Sequence, residues 1–449
     1  MLTRRTLLQG ALVGAVVSGC SSGPTNTRPT AAAGNPFTVD GTLPVDAVVS
    51  EEYGGFAAAA YRKKYPGAAI TPKVTAQLSE AMLPRFQTGT PPDVLLNTGD
   101  DALDLRRLVR EDQLTDLQQL LAAPSWDDQG TTVKDSLLPG MLDFGRYDGT
   151  QRTLNYVATV YGLWYSAGLF QRNDWEVPAT WPQLLALGTD MKAAGLGPFT
   201  YAGTHPYYAL ELVLTLAAKS GGHDVVKRID NLDDGAWKDQ SITRAITAVG
   251  ELRKRGLIAA GSARYDHIAS QKRFFAGKAG LLPCGNWLEN EMKQVIPADF
   301  ALTMFAVPPL DGSPALPRGL HVAATAPLLV PAKAKNAAGG LEYLRAMLSK
   351  DVAAQVSSES DQLTIVRGAA DGLEIGTALR SARDLLTAAG DQVISWYFDS
   401  WYPDLATTAA TATGQFLTGG LAASGWAAQI QAAADKLKQD QGVTKYHRD

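Results

Sequence analysis

The chain has 449 residues, of which 45% are hydrophobic and 19% charged, a composition typical of a globular protein. Its formal net charge is −4, and such a mildly acidic balance argues against nucleic acids and other polyanions as partners. The five histidines are scattered without the spacing of metal ligands, so neither a metal site nor a cofactor is expected.

The first residues predict an export signal. Arg4 and Arg5 precede an apolar stretch from Leu12 to Val17, which is shorter than the roughly 20 residues of a membrane span. The small residues that follow end at Cys20, and this ending resembles the bacterial lipobox, which implies cleavage after residue 19 and acylation of Cys20. A plain signal peptide with an incidental cysteine is the alternative. The arginine pair also resembles a twin-arginine signal, so the export route stays open.

Residues 20–36 have no apolar periodicity and are predicted to be a flexible tether between a lipid anchor and a folded body. No later stretch reaches 18 apolar residues, so the anchor is the one expected membrane contact, on the outer face of the cell membrane. Loss of Arg4 and Arg5 with the signal leaves 39 basic against 45 acidic residues, a charge of −6. Only Cys284 remains besides Cys20, so no internal disulfide is expected.

The body of about 410 residues exceeds one ordinary core, and two domains are expected. Its first part alternates strands, predicted over residues 46–50, 70–74 and 93–97, with helices, predicted over 56–65, 77–87 and 103–110. This alternation predicts an α/β fold with parallel βαβ units. Ligands of such sheets lie beyond the carboxyl ends of the strands, which indicates Glu51 to Gly55 and the loop from Asn97 to Asp101.

The second part is predicted to be mostly helical. After an extended, aromatic-rich stretch from Leu154 to Tyr165, the pattern predicts further helices and strands. The helices are expected over residues 181–194, 207–219, 241–255, 263–275 and 337–348, and the strands over 279–283, 300–307 and 321–330. The remaining C-terminal part is predicted to be helical with a break at residues 396–403.

Six short motifs, in this order, resemble the family 1 extracellular solute-binding proteins of ATP-driven importers. They are residues 91–94 (PPDV), 161–166 (YGLWYS), 177–184 (VPATWPQL), 275–279 (FAGKA), 285–287 (GNW) and 330–333 (VPAK). The resemblance implies a monomer with two α/β lobes, a ligand cleft between them, and delivery of the solute to the permease subunits of an ABC transporter. It implies three crossings between the lobes, which assign residues 37–155 and 308–368 to lobe I and residues 156–307 and 369–449 to lobe II.

Three longer segments, residues 154–165, 283–291 and 331–340, resemble the actinobacterial lipoproteins that bind N-acetylglucosamine and diacetylchitobiose. This closer resemblance covers nearly the whole mature chain and implies an amino sugar or a short chito-oligosaccharide as ligand. Asn286 stands where that subgroup has Ser, so the identity of the sugar stays open.

A pyranose has an apolar face and a rim of hydroxyls, so its site needs an aromatic plate and fixed polar groups. Trp287 is the first candidate because it follows a predicted strand and a glycine, and its family counterpart stacks on sugar. The other aromatic candidates, each with core packing as the alternative role, are Trp396, Trp401, Tyr161, Trp164, Tyr207 and Tyr208. The polar candidates are Asn97, Asp100, Asn286 and Glu289.

Two polar candidates have competing structural roles. Asp100 and Asp101 also suit an N-cap before a helix that begins at Leu103, and Glu289 would otherwise only solvate its helix.

The predicted mechanism is closure of two hinged lobes over the sugar. Two other functions stay open: the same fold binding another oligosaccharide or a glycerophosphodiester, and a secreted glycoside hydrolase. A hydrolase needs two carboxyl groups about 5 to 10 Å apart, and no motif indicates such a pair. The sequence also lacks G-x-S-x-G, H-E-x-x-H and phosphate-loop patterns, so a binding protein rather than an enzyme is expected.

Overall fold

The computed structural model describes residues 34–75, 77–99 and 101–448. The predicted signal peptide, the lipidation site Cys20 and residues 20–33 of the predicted tether lie outside the described residues, and so does Asp100. Within the described ranges, no helix is both long enough and apolar enough to cross a membrane.

Eight of the strands in the described part of the chain form one sheet. The strands are β1 (Ala47–Val48), β2 (Val94–Leu96), β3 (Arg146–Tyr147), β4 (Thr150–Gln151), β5 (Leu154–Ser166), β6 (Gly197–Phe199), β7 (Ala279–Gly285), β8 (Leu302–Phe305), β9 (Leu320–Leu329) and β10 (Val393–Ile394). The sheet order is β1-β2-β9-β5-β7-β6, with β10 beside β9 and β8 beside β5, while β3 and β4 pair separately.

Helices cover the sheet. They are α1 (Glu51–Lys64), α2 (Leu78–Gln87), α3 (Leu105–Arg110), α4 (Gln118–Ala122), α5 (Ala167–Asn173), α6 (Trp181–Ala193), α7 (Tyr207–Gly221), α8 (Asp224–Asp230), α9 (Gln240–Lys254), α10 (His267–Phe275), α11 (Leu288–Met292), α12 (Ala337–Met347), α13 (Lys350–Ser360), α14 (Thr377–Ala389), α15 (Phe398–Trp401), α16 (Pro403–Thr418) and α17 (Ala423–Gln439). Helices α1, α12 and α13 pack together in one half, and α7, α9, α16 and α17 pack together in the other.

Strand β5 joins the two halves of the sheet. Its first part, from Leu154 to Val160, pairs antiparallel with β9, whereas from Tyr161 to Trp164 its partner is β7. The change of partner falls in the middle of a continuous 13-residue strand. Side chains at this point therefore lie where the two halves meet.

The parallel pairing predicted for the first strands is confirmed by β1 and β2, but it does not extend through the sheet. The pairs β1–β2, β6–β7 and β9–β10 are parallel, but β5 is antiparallel to β7, β8 and β9, and β2 is antiparallel to β9. A βαβ pattern constrains only strands that one crossover connects. Since β5 and β9 are far apart in sequence, the local pattern carried no information on their relative direction.

The helix predicted from Leu103 begins instead at Leu105. Its N-cap is Asp104, whose carboxylate accepts hydrogen bonds from two backbone N–H groups of the first turn at 3.0 and 3.4 Å. Asp101 is not the cap, since its carboxylate accepts the N–H of Ser79 at 2.9 Å. Helix α7 begins at Tyr207 as predicted.

Candidate functional site

His321, at the beginning of β9, is held between two aromatic rings. Its ring centroid lies 4.6 Å from that of Tyr161, with planes 23° apart, and 3.6 Å from that of Trp396, with planes 14° apart. The imidazole is buried, and its Nδ1 lies 3.0 Å from the carbonyl oxygen of Ile394 in β10. Burial lowers the pKa of His321 to about 3, so the ring is neutral and acts as an uncharged plate in the stack.

Trp287 extends this row of rings. It lies between β7 and α11, is half-buried, and meets Tyr161 edge to face at 5.4 Å and Tyr208 at 6.3 Å. Gly285 is needed here because a Cβ at this position would collide with the indole ring of Trp287. The glycine that the sequence places before Trp287 thus allows the indole to fold back over the strand end.

Helix α7 contributes its first two residues. The rings of Tyr207 and Tyr208 are stacked at 4.1 Å with planes 28° apart, and Tyr207 is 37% exposed whereas Tyr208 is buried. Six rings therefore form a continuous series at the junction of the two halves, which we call the aromatic wall. Its members are Trp396, His321, Tyr161, Trp287, Tyr208 and Tyr207.

A cavity of about 290 Å³ adjoins the aromatic wall and contains two carboxyl groups, so we call it the carboxyl pocket. Helix α7 places Glu211 one turn after Tyr207 on the same face, and α15 supplies Asp399. The pocket is lined by Tyr207, Leu210, Glu211, Leu214, Trp396, Phe398, Asp399, Ala406, Thr407 and Ala410.

Both carboxyl groups have a raised pKa. Burial raises the pKa of Glu211 well above its usual range, and the negative charge of Asp399 adds to the effect. Asp399 is an exposed residue, but desolvation of its carboxyl group by nearby protein atoms raises its pKa to about 6, although hydrogen bonds from Ser400 and Trp396 oppose the shift. The two groups therefore share a site that disfavours two negative charges.

Trp164, a predicted contact, lies fully buried on the other face of β5 from Tyr161. Side chains alternate along a strand, so residues three positions apart point to opposite faces. The indole N–H of Trp164 donates to the carbonyl oxygens of Cys284 and Gly285, each at 3.2 Å. This geometry favours core packing over contact with a ligand.

Trp401 is also buried and lies away from the aromatic wall. Its ring packs against Tyr397 at 5.4 Å and against Tyr446 at 5.5 Å. Of the two tryptophans in the segment 396–401, the structure thus brings only Trp396 to the wall.

Most of the polar candidates form hydrogen bonds with backbone groups. Asn97 is buried and bonds both the carbonyl oxygen and the N–H of Leu103, at 3.0 and 2.8 Å. Asn286 accepts the N–H of Val160 at 3.1 Å and so braces β5 where its partner changes.

Glu289 is half-buried, accepts the N–H of Leu379 at 3.3 Å, and has a pKa raised by burial and then by the charge of Asp361. Asp100 lies outside the described residues.

Sequence reasoning missed Glu211, Asp399 and His321. Glu211 carried a readable signal, since it stands four residues after Tyr207 in a predicted helix and must share its face. Asp399 and His321 had none, because their positions depend on the pairing of β10 with β9, two short segments far apart in sequence.

Three larger grooves lie elsewhere in the described residues: one of about 710 Å³ around Asp46 and Lys335, one of about 560 Å³ around Phe56 and Trp126, and one of about 450 Å³ around Arg367 and Arg383. The first and the third have no aromatic side chain among their lining residues, so neither offers a plate for a sugar ring. The second has aromatic side chains, but it lies between α1 and α13 within one half rather than at the junction of the two halves. The described ranges also contain no group of three or more His, Cys, Asp or Glu residues placed to hold a metal ion.

Two half-sheets joined through one long strand, with an aromatic wall at their junction, define a two-lobe solute-binding fold. The chain belongs to the family of bacterial extracellular solute-binding proteins, which matches residues 47–354. The predicted family and the predicted α/β two-lobe fold are both confirmed.

Comparison with known proteins adds a relative of nearly full length. The chain is 33% identical, over 467 aligned positions, to the diacetylchitobiose binding protein NgcE of Streptomyces coelicolor, and the alignment covers 99% of this chain and 98% of the relative.

Among solved structures, the chain resembles apo RafE of Streptococcus pneumoniae with a TM-score of 0.71 and 16% identity, over 90% of this chain and 100% of that one. It also resembles a chitin oligosaccharide binding protein with a TM-score of 0.63 and 18% identity, over 88% of this chain and 98% of that one. At these identities, the two structures show a shared fold.

Proposed function

We propose that this protein captures diacetylchitobiose or N-acetylglucosamine outside the cell and delivers it to an ABC importer. The observation that carries the proposal is Trp287, a half-buried indole in the aromatic wall at the junction of the two halves. Indole and phenol rings suit the apolar face of a pyranose, and polar groups around them suit its hydroxyls. The full-length likeness to a diacetylchitobiose binding protein supports the choice of sugar.

The proposed movement is a hinge within β5, between lobe I (37–155, 308–368) and lobe II (156–307, 369–449). Asn286 holds the N–H of Val160 where the strand changes partner, so a bend there would alter the separation of the halves. A sugar that contacts both halves only in the closed form shifts the population toward that form. The permease would then recognise the closed shape.

Isothermal titration calorimetry with a panel of sugars tests the ligand. The panel holds N-acetylglucosamine, diacetylchitobiose, maltose and raffinose. We expect the first two to bind and, in X-ray scattering, to reduce the radius of gyration. If both fail while another glycan binds, the choice of sugar is wrong, although the family role remains.

The same proposal places the protein at the outer face of the membrane through a lipid on Cys20. Fractionation of cells that express Cys20→Ser should then find the protein in the medium rather than with the membrane. An unchanged membrane fraction in the variant would remove the lipid from the proposal.

The carboxyl pocket is the one observation that favours a glycoside hydrolase as a second candidate, since Glu211 and Asp399 both line it. Incubation with diacetylchitobiose separates the two functions. We expect no release of the monosaccharide, because the proposed protein binds and releases its ligand intact. Turnover that Glu211→Gln abolishes would instead establish the hydrolase.

A further inference from the structure

The carboxyl pocket contains two carboxyl groups without a positively charged partner. Neither Glu211 nor Asp399 forms an ion pair within the part of the chain that the structure describes, and no Lys, Arg or His lines the pocket there. Among the other described residues, the Asp399 carboxylate accepts hydrogen bonds from Ser400, next in sequence, and from Trp396. The Glu211 carboxylate accepts no hydrogen bond from any described residue.

The walls of the same pocket are aromatic. Trp396 and Tyr207 belong to the aromatic wall, and Phe398 lines the cavity beside them. The negative face of an aromatic ring attracts a nearby cation electrostatically. Rings and unpaired carboxyl groups in one small cavity are therefore complementary to an ammonium group.

We infer that the carboxyl pocket receives the protonated amine of a de-N-acetylated sugar ring, so that the ligands include partly deacetylated chito-oligosaccharides. This inference rests on the proposed function, because the aromatic wall must first hold the sugar next to the pocket. An ammonium group donates charge-assisted hydrogen bonds to carboxylates, which are stronger than bonds between neutral groups. A fully acetylated ligand offers no such charged donor to the two carboxyl groups.

A change in the protonation of the carboxyl pocket would be a second sign that an ammonium group binds there. Burial and the charge of Asp399 raise the pKa of Glu211 and so favour its protonated form, whereas a bound ammonium group would favour the ionised form and release of the proton. The other titratable groups that interact with Glu211 or Asp399 are Tyr161 of β5, Tyr207 and Tyr208 of α7, and Cys284 of β7, and burial raises the pKa of each above its usual range. None of these groups competes with Glu211 to release a proton.

Calorimetry with the matured protein compares three disaccharides: diacetylchitobiose, its singly deacetylated form, and its fully deacetylated form. The titrations are run at about pH 6, below the ordinary pKa of an amine. We expect a deacetylated form to bind at least as tightly as diacetylchitobiose. Titrations in buffers of different ionisation enthalpy should show that a proton is released when a deacetylated form binds and not when diacetylchitobiose binds.

Two variants assign the effect to the pocket. Glu211→Gln combined with Asp399→Asn should weaken binding of the amine by at least about tenfold and binding of diacetylchitobiose by less than about threefold. Glu251→Gln serves as the matched control, because it neutralises a half-buried carboxyl group on α9 that does not line the pocket. Circular dichroism confirms that each variant is folded.

The outcomes separate the two proposals. Binding of diacetylchitobiose without binding of either amine overturns the inference and leaves the proposed function intact. Binding of an amine that the double variant does not weaken also overturns it, since the pocket is then not the receptor. Failure of all three sugars overturns the proposed function and the inference together.

Discussion

Arg448 forms an ion pair with Asp230, in which Nη1 lies 2.8 Å from Oδ2. The other carboxylate oxygen of Asp230 accepts the N–H groups of Tyr397 and Phe398 at 2.7 and 2.9 Å. Arg448 also donates to the carbonyl oxygen of Ser395 at 2.9 Å. Arg448 and Asp230 thus link the segment 395–398, which carries Trp396 of the aromatic wall, to helix α8.

Replacement of Arg448 should therefore affect both folding and binding. Arg448→Met leaves the carboxyl group of Asp230 buried without its cation, which we expect to lower the free energy of unfolding by about 3 kcal/mol. Burial raises the pKa of Asp230 to about 7 even beside Arg448, and loss of the cation should raise it further. The electrostatic deficit should therefore be largest at alkaline pH and disappear as the pH falls below about 7, where Asp230 is protonated in both folded proteins. Urea denaturation across this pH range measures it.

Binding distinguishes a positioning role from a purely structural one. At a temperature where Arg448→Met is fully folded, we expect weaker sugar binding, with partial recovery in Arg448→Lys. The control is Arg345→Met, which breaks a buried ion pair with Glu342 in the other half and should destabilise without changing affinity. If both Arg448 variants bind the sugar as tightly as the wild type and Arg345→Met do, the ion pair of Arg448 with Asp230 does not position the aromatic wall.

Trp287→Ala should weaken sugar binding by about tenfold or more, on the order of 1.4 kcal/mol, because it removes the half-buried plate of the aromatic wall. Trp126→Ala is the matched control, since Trp126 packs under Arg345 outside the site and its loss should leave affinity unchanged. Titration calorimetry on both variants is the measurement. Affinity retained in Trp287→Ala would assign that residue to packing.

Substitutions of the two tyrosines at the start of α7 should have different effects, one on sugar binding and the other on stability. Tyr207 is 37% exposed, so Tyr207→Ala should reduce affinity with little change in the free energy of unfolding. Tyr208 is buried, and its replacement by Ala should lower that free energy by about 3 kcal/mol. Calorimetry and chemical denaturation of both variants test the difference, and the reverse pattern would contradict the placement of the pair.

Protonation of His321 should destabilise the folded protein in acid. Its folded pKa of about 3 lies below the ordinary 6.5, so its contribution is complete above 6.5 and is lost as pH falls toward 3, by about 3 kcal/mol at roughly pH 4. His321→Phe keeps a ring between Tyr161 and Trp396 but cannot be protonated. The wild type should therefore lose more stability than the variant over this range, and parallel denaturation curves would show that His321 does not titrate as proposed.

Several elements were readable from the sequence because their signals are local. The strand at 94–96, the helix from Tyr207 and the break around 396–403 follow from apolar runs, periodicity and turn residues. The aromatic candidates were found for the same reason, since residue type and proximity to an element end are visible without a fold. The pairing of β5 with β9 and the cap at Asp104 were not anticipated.

The sequence by itself determined the family, the α/β class and the set of aromatic residues from which a sugar site would be built. Only the tertiary structure decided which of them meet: it places Tyr161 and Trp396 on either side of His321, buries Trp164 and Trp401, and adds Glu211 and Asp399. The physical reason is that local pattern sets the direction of a side chain within its own element. The neighbours it meets depend on contacts between segments more than 100 residues apart, as in the pairing of Val160 with Val322.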